Sequence, residues 1–246
     1  MFMSSDLEQF LANARSSAAG RKITHLNHLN QDQVLTAKWS LDTLRGRLVE
    51  LSAQGAAATL TAAIELVVEA QVQSEPVAWI ASKTGTFYPP DVADSGVDLA
   101  ALVVIRADGV AAARAAERLL RSGAFGLVVV DLSPSGDVSS QGRCQVDLNQ
   151  PGAGNRPSPI DSTQLEGGSV QGRLINLAQA HDAAVVCITD KPRDAASLGS
   201  LISLRAEAMR IRDRDGLAVA VRALKDKRRG PGWEHVAMRC APPGFK

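Results

Sequence analysis

Short apolar runs alternate with amphipathic stretches along the middle of this chain. Val77–Ala81 (VAWIA), Leu127–Val130 and Ala184–Ile188 (AVVCI) are almost wholly apolar, as strands are when both faces of a sheet are covered. Val110–Leu120, closed by Gly123, and Val170–Leu177 carry apolar residues at helical spacing. This alternation predicts an α/β fold with a mainly parallel central sheet flanked by helices.

Three less regular stretches complete the middle of the chain. Ser82–Asp94 contains a glycine and two adjacent prolines and is predicted to be a loop. Leu99–Ile105 (LAALVVI) is predicted to be a further strand, and Leu198–Leu204 a short helix.

The last third of the chain has a different pattern. Ala206–Arg212, Leu217–Leu224 and Trp233–Met238 alternate as strands do, and Asp215-Gly216 is typical of a hairpin turn. The pattern predicts antiparallel C-terminal strands that extend the parallel sheet.

The beginning of the chain is predicted to be an N-terminal helical arm and linker, residues 1–40. Leu7, Phe10 and Leu11 share one face of a helix over residues 4–20, and a polar stretch follows. Such an apolar face covers either the chain's own core or a neighbouring molecule. The core is then residues 41–240, with a long flexible Ser-, Gly- and Pro-rich loop at 132–168 and a loose tail at 241–246.

Composition excludes several classes of function. The 246 residues are 45% hydrophobic and carry a net charge of only +1, so no global attraction to nucleic acid or membrane is expected. No apolar run approaches the roughly 18–20 residues that span a bilayer, and the start lacks a signal-peptide pattern. Three widely spaced cysteines without CxxC predict neither disulfides nor a metal site, and Cys187 is interpreted as a core residue. We expect a cytoplasmic protein.

The stretch Arg45–Ala70 has the order of a phosphate-binding loop, in which a strand and a turn precede a helix. Ser52–Thr59 (SAQGAAAT) has a single glycine, Gly55, and no lysine to neutralise phosphates. Thr59 alone cannot hold Mg²⁺ beside them. The stretch is therefore either a nucleotide site that has lost its chemistry or an ordinary strand–turn–helix unit, and we predict no bound cofactor.

Five segments, in serial order, resemble the core of RecA recombinases over roughly residues 40–240. GRLVEL at 46–51 and TLTAAIELVVEAQ at 59–71 resemble the strand and helix around the RecA Walker A loop. SGAFGLVVVDL at 122–132 resembles the Walker B segment and places its aspartate at Asp131. AAVVCITD at 183–190 is similar to the strand that ends in the nucleotide-sensing residues, and residues 203–232 are similar to the final antiparallel strands.

The chain also departs from RecA in ways that agree with one another. The Walker A lysine is absent, and Ala81-Ser82-Lys83 stands near the place of the catalytic glutamate. Thr189-Asp190 replaces the sensing pair, and the second DNA-binding loop, near 191–200, looks shortened. Phosphoryl transfer needs both a phosphate clamp and a general base, so the resemblance implies no hydrolysis. Asp131 is then a Walker B-like remnant or an ordinary structural aspartate.

Two RecA-like families lack this chemistry, and the chain resembles the ImuA type of damage-inducible mutagenesis cassettes more than SulA-type division inhibitors, which are usually shorter. The resemblance implies an accessory role in translesion DNA synthesis, with an ImuB-type polymerase-like protein as partner and RecA as a second candidate. Division inhibition, weak ATP binding and weak DNA binding stay as alternatives. The candidate contacts with DNA or a partner form two groups. The first is the basic run Lys225, Lys227, Arg228 and Arg229, for which a solvated charge run is the alternative interpretation. The second is the apolar face of the arm, with Leu7, Phe10 and Leu11.

Overall fold

The computed structural model describes residues 39–52, 57–83, 87–133, 168–213 and 216–239. The predicted helix over residues 4–20, most of the 132–168 loop and the tail lie outside the described residues. So do Leu7, Phe10 and Leu11.

Helices and strands alternate through the first two thirds of the described chain, and strands alone fill the last third. The first part contains α1 (Leu41–Leu44), β1 (Arg47–Ser52), α2 (Ala57–Val72), β2 (Val77–Ala81), α3 (Pro89–Asp94), a 3₁₀ turn (Leu99–Ala101), β3 (Leu102–Arg106), α4 (Gly109–Arg121), β4 (Leu127–Asp131), α5 (Gly168–Ala180) and β5 (Ala184–Thr189). The second part contains β6 (Leu204–Asp213), β7 (Gly216–Asp226) and β8 (Glu234–Arg239).

The described strands form one eight-stranded sheet in the order β3-β2-β4-β5-β1-β6-β7-β8. Every pairing from β3 to β6 is parallel, whereas β6, β7 and β8 pair antiparallel. The predicted sheet with its antiparallel C-terminal extension is therefore confirmed. In the hairpin, Asp213 lies opposite Gly216, and residues 214 and 215, which join the two strands, lie outside the described ranges.

Alternate residues of each central strand enter two separate cores, one on each face of the sheet. Val49 and Leu51 of β1 belong to the core that α2 covers. Leu48 of the same strand belongs to the core that α4 and α5 cover. Because both faces are buried, the strands need no polar face, which explains their continuous apolar runs. No helix in the described ranges is both long and apolar enough to cross a bilayer.

Three local predictions need correction. The predicted loop Ser82–Asp94 contains α3, because two prolines can occupy the first helical turn, where no N–H is needed. The predicted strand Leu99–Ile105 begins only at Leu102, since the Asp98 carboxylate accepts the Ala100 N–H at 2.9 Å and closes a 3₁₀ turn. The predicted helix Leu198–Leu204 is a turn that leads into β6.

A buried charge network joins the first strand to the seventh. The Arg47 guanidinium, 2% exposed, donates to the fully buried carboxylate of Asp226 at 2.5 Å and to the Ser203 carbonyl at 3.0 Å. The Trp233 indole N–H donates to the other Asp226 oxygen at 2.9 Å. Burial on its own would raise the pKa of Asp226, but hydrogen bonds from Trp233, the Arg228 amide and Arg47 hold that pKa below its ordinary value.

Candidate functional site

The carboxyl ends of four parallel strands meet at one edge of the sheet, where open α/β sheets bind their ligands. Ser52 lies directly opposite Thr189, and Asp131 of β4 lies opposite Ile188. The strand order places the end of β2, followed by Ser82, next to β4. The structure thus brings these predicted site residues to one edge, whereas Gly55 lies outside the described residues.

The Asp131 side chain is partly buried and makes a local contact. One carboxylate oxygen accepts the Ser133 N–H at 3.0 Å, two residues further along the chain. Burial raises the pKa of Asp131, and the hydrogen bonds from Ser133 partly offset that rise. The carboxylate thus binds the turn that follows its own strand, and both interpretations of Asp131, Walker B-like remnant and structural aspartate, stay predictions.

At the end of β2, a serine contacts a carboxylate from another element. Ser82 is buried, and its hydroxyl donates to the Asp108 carboxylate at 2.7 Å. The same Asp108 oxygen accepts the Lys83 N–H at 3.1 Å. Sequence reasoning missed Asp108, which immediately precedes α4. A carboxylate therefore reaches the neighbourhood where the resemblance places a catalytic glutamate, but two donors already bind one of its oxygens.

Glu50, in the middle of β1, is the second residue that sequence reasoning missed. Its carboxylate is fully buried and accepts the Leu198 N–H at 2.8 Å and the Thr189 hydroxyl at 3.3 Å. The Lys191 ammonium lies 4.0 Å away. Thr189, which was placed at the sensing position, therefore contacts the neighbouring strand through its side chain. The signal for Glu50 was a single acid inside an otherwise apolar run, LVEL.

The segment predicted as a shortened DNA-binding loop is fastened to the core from several directions. The buried amide of Gln171 donates to the Leu198 carbonyl at 3.0 Å. The Arg205 guanidinium donates to the carbonyls of Pro192, at 2.8 Å, and Ala195. These bonds hold the backbone of the segment against α5 and β6.

The basic run lies at the opposite edge of the sheet. Leu204, the first residue of β6, pairs with Asp226, the last residue of β7. The run therefore starts at Lys225 inside β7 and continues past its end, at the amino ends of the parallel strands. The Arg228 guanidinium donates to the carbonyls of Arg45 and Gly46 at 3.2 and 3.3 Å. The Lys227 ammonium donates to the Ser200 carbonyl. Two of the four residues of the basic run therefore hold neighbouring segments of the core.

We expect Arg228→Ala to lower the free energy of unfolding by about 1 kcal/mol, since it removes charged hydrogen bonds to two carbonyls at a partly exposed site. Arg229→Ala is the matched control because Arg229 is exposed and has no side-chain partner among the described residues. Urea unfolding followed by circular dichroism measures both variants. Equal stabilities of the two variants would show that the Arg228 contacts contribute nothing.

The described residues hold no cluster of three side chains that could bind a metal ion. Cys187 is buried in β5, as the sequence predicted, and burial together with the Glu50 charge raises its pKa to about 12. Such a thiol is a poor nucleophile at neutral pH.

Comparison with known proteins places the chain by its fold. No protein-family model and no curated protein sequence matches it. The solved structure of the RadB recombinase, a RecA-family protein, superposes with a TM-score of 0.53 at 16% sequence identity. The match covers 80% of this chain and 91% of RadB. With its parallel sheet, flanking helices and antiparallel C-terminal strands, this chain has a RecA-like fold.

Proposed function

We propose that this chain is a non-catalytic RecA-like accessory protein of damage-induced translesion DNA synthesis. It acts by protein–protein interaction with a polymerase-like partner of the ImuB type, and RecA is a second candidate partner. The proposal joins the RecA-like fold to the resemblance of the sequence to ImuA-type proteins.

One observation carries the non-catalytic part of the proposal. Ser52–Thr59 contains no lysine, and β2 is followed by Ser82, whose hydroxyl is bound to Asp108. Transfer of a phosphoryl group relies on cationic groups that neutralise the phosphates and on a residue that orients the nucleophile. At the positions that correspond to these two groups in RecA, this chain has neither a lysine nor a glutamate.

The segment after β5 supports an adaptor over a DNA-binding enzyme. Thr189 donates to the buried Glu50 carboxylate, and Gln171 and Arg205 hold the following turns to the core. A nucleotide-driven switch needs an element with two arrangements of similar free energy. Fixing this segment by buried polar contacts favours a single arrangement.

Titration with a fluorescent ATP analogue in the presence of Mg²⁺ tests the non-catalytic part. We expect no saturation up to millimolar analogue and no phosphate release above that of buffer, because the phosphates lack a neutralising lysine. Asp131→Asn, with the remnant carboxylate removed, should behave like the wild-type protein. Saturable micromolar binding that Asp131→Asn weakens would overturn the proposal.

The partner part is tested by co-purification of the tagged full-length chain with the ImuB-type protein and, separately, with RecA. Retention of either partner through a salt wash supports the adaptor. If both fail to co-purify while ATP is hydrolysed, the chain is an enzyme and not an adaptor.

A further inference from the structure

The outer side of α4 carries three arginines one helical turn apart. Arg114, Arg118 and Arg121 are all exposed, and their spacing aligns them along about 10 Å of the helix. Within the part of the chain that the structure describes, no carboxylate pairs with Arg114 or Arg118. Exposed arginines without acidic partners attract anionic groups, although the whole chain is nearly neutral.

One glutamate of α4, Glu117, forms ion pairs with two arginines on this side. The two carboxylate oxygens of Glu117 bind Arg121 and, at 3.1 Å, Arg173 of the neighbouring helix α5. The side chains of Arg121 and Arg173 are still 67% and 51% exposed, so each keeps donors that face solvent. Glu117 is the only acid in α4, and α5 contains none. The surface, which we call the α4–α5 face, thus holds four arginines against one carboxylate.

A recess of about 180 Å³ with both apolar and charged walls lies between the two helices on this face. Its walls combine small apolar side chains with the charged groups just described: Val110, Ala113, Arg114, Glu117, Val170 and Arg173. Val110 is 42% exposed, which is high for an apolar side chain beside a core. An apolar side chain that entered the recess would contact Val110 and lie beside Arg114 and Arg173.

We propose that the α4–α5 face docks an acidic amphipathic helix of a protein partner. An apolar side chain of the partner helix enters the recess, and the carboxylates of the same helix bind the arginines. The inference rests on the proposed function only in that the partner is a protein. Carboxylates spaced three or four residues apart on a helix match arginines with the same spacing, and arginine binds carboxylates through paired hydrogen bonds.

Nucleic acid fits this face less well. A phosphate backbone would use the arginines but would leave the exposed Val110 side chain uncovered. Single strands also need aromatic side chains on which bases stack, and neither α4 nor α5 contains one.

The test uses the full-length protein and a fluorescein-labelled helical peptide in which Glu and Leu recur at i, i+3 and i+4. A second peptide has Gln at every Glu position. We expect anisotropy to show tighter binding of the Glu peptide, and Arg114→Glu/Arg118→Glu to weaken it by about tenfold or more. Lys83→Glu/Arg210→Glu changes the net charge equally at two exposed cations elsewhere and should change binding less than about twofold.

Each other outcome overturns the inference. One is equal affinity of the wild-type protein for the two peptides. Another is a loss of affinity in the control variant as large as that in Arg114→Glu/Arg118→Glu. Specific binding of labelled DNA that Arg114→Glu/Arg118→Glu abolishes would assign the face to phosphates instead. ATP hydrolysis would defeat the proposed function without altering the peptide result, so the two failures are distinguishable.

Discussion

Replacement of Asp226 by alanine is expected to lower the free energy of unfolding by about 3–5 kcal/mol. The change would leave the Arg47 guanidinium buried without a counter-charge and the Trp233 indole N–H without its acceptor. Removal of one member of a buried ion pair costs more than the pair itself contributes, because the remaining charge stays desolvated. Urea unfolding followed by far-ultraviolet circular dichroism measures the loss.

Glu234→Ala is the control for this prediction. It breaks an ion pair between β7 and β8, Arg222–Glu234 at 3.2 Å, in which both side chains are about one third exposed. Such a pair contributes at most about 1 kcal/mol. A loss of similar size in both variants would contradict the importance of the buried network.

The same network predicts how stability depends on pH. The folded pKa of Asp226 lies below its unfolded value of about 3.9, so its contribution is complete above that value. It is lost as the pH falls through the lower, folded pKa. Asp226→Asn should therefore flatten the acid limb of the stability curve below about pH 4. An acid limb as steep as that of the wild-type protein would exclude Asp226 as a source of the acid sensitivity.

Replacement of Glu50 by alanine is expected to lower the free energy of unfolding by about 3 kcal/mol and to loosen the segment that follows β5. The change removes the acceptor of the buried Leu198 N–H and a carboxylate that lies 4.0 Å from the Lys191 ammonium. Amide hydrogen exchange at Leu198 should accelerate much more than exchange in β4, since only the former loses its partner.

Arg193→Ala is the matched change for the same segment. Its side chain is 59% exposed and lies 3.9 Å from Glu207, so its loss should cost under about 1 kcal/mol and leave exchange at Leu198 unchanged. If Glu50→Ala leaves Leu198 as protected as in the wild-type protein, Glu50 does not hold this segment.

The sequence was informative wherever burial alone decided the structure. VAWIA forms β2 with the predicted bounds, and AVVCI forms most of β5, because a continuous apolar run of that length fits a strand covered on both faces. The predicted helix over Leu198–Leu204 was wrong because contacts with distant residues decide this structure. Its apolar spacing suggested a helix, but contacts with Glu50 and Gln171, both distant in sequence, fix the backbone in turns.

The burial and pairing of the charged residues could not be predicted from the sequence. Arg47 and Glu50 read as polar positions in a short strand, and neither has its partner within one element. Asp226 stands within the basic run, where its neighbours suggested a solvated surface. Pairing of such residues depends on the order of strands in the sheet, which local patterns do not specify.

The position of β1 has a consequence for how the chain acquires its structure during synthesis. β1 leaves the ribosome first among the described strands, but its two neighbours, β5 and β6, are among the later ones. This central strand thus has no neighbour in the sheet until most of the core has been translated. Closing such long-range pairs costs loop entropy before it yields contacts, which is characteristic of slowly folding topologies. The nascent chain consequently exposes strand-forming apolar segments for most of its synthesis, the situation in which chaperones bind.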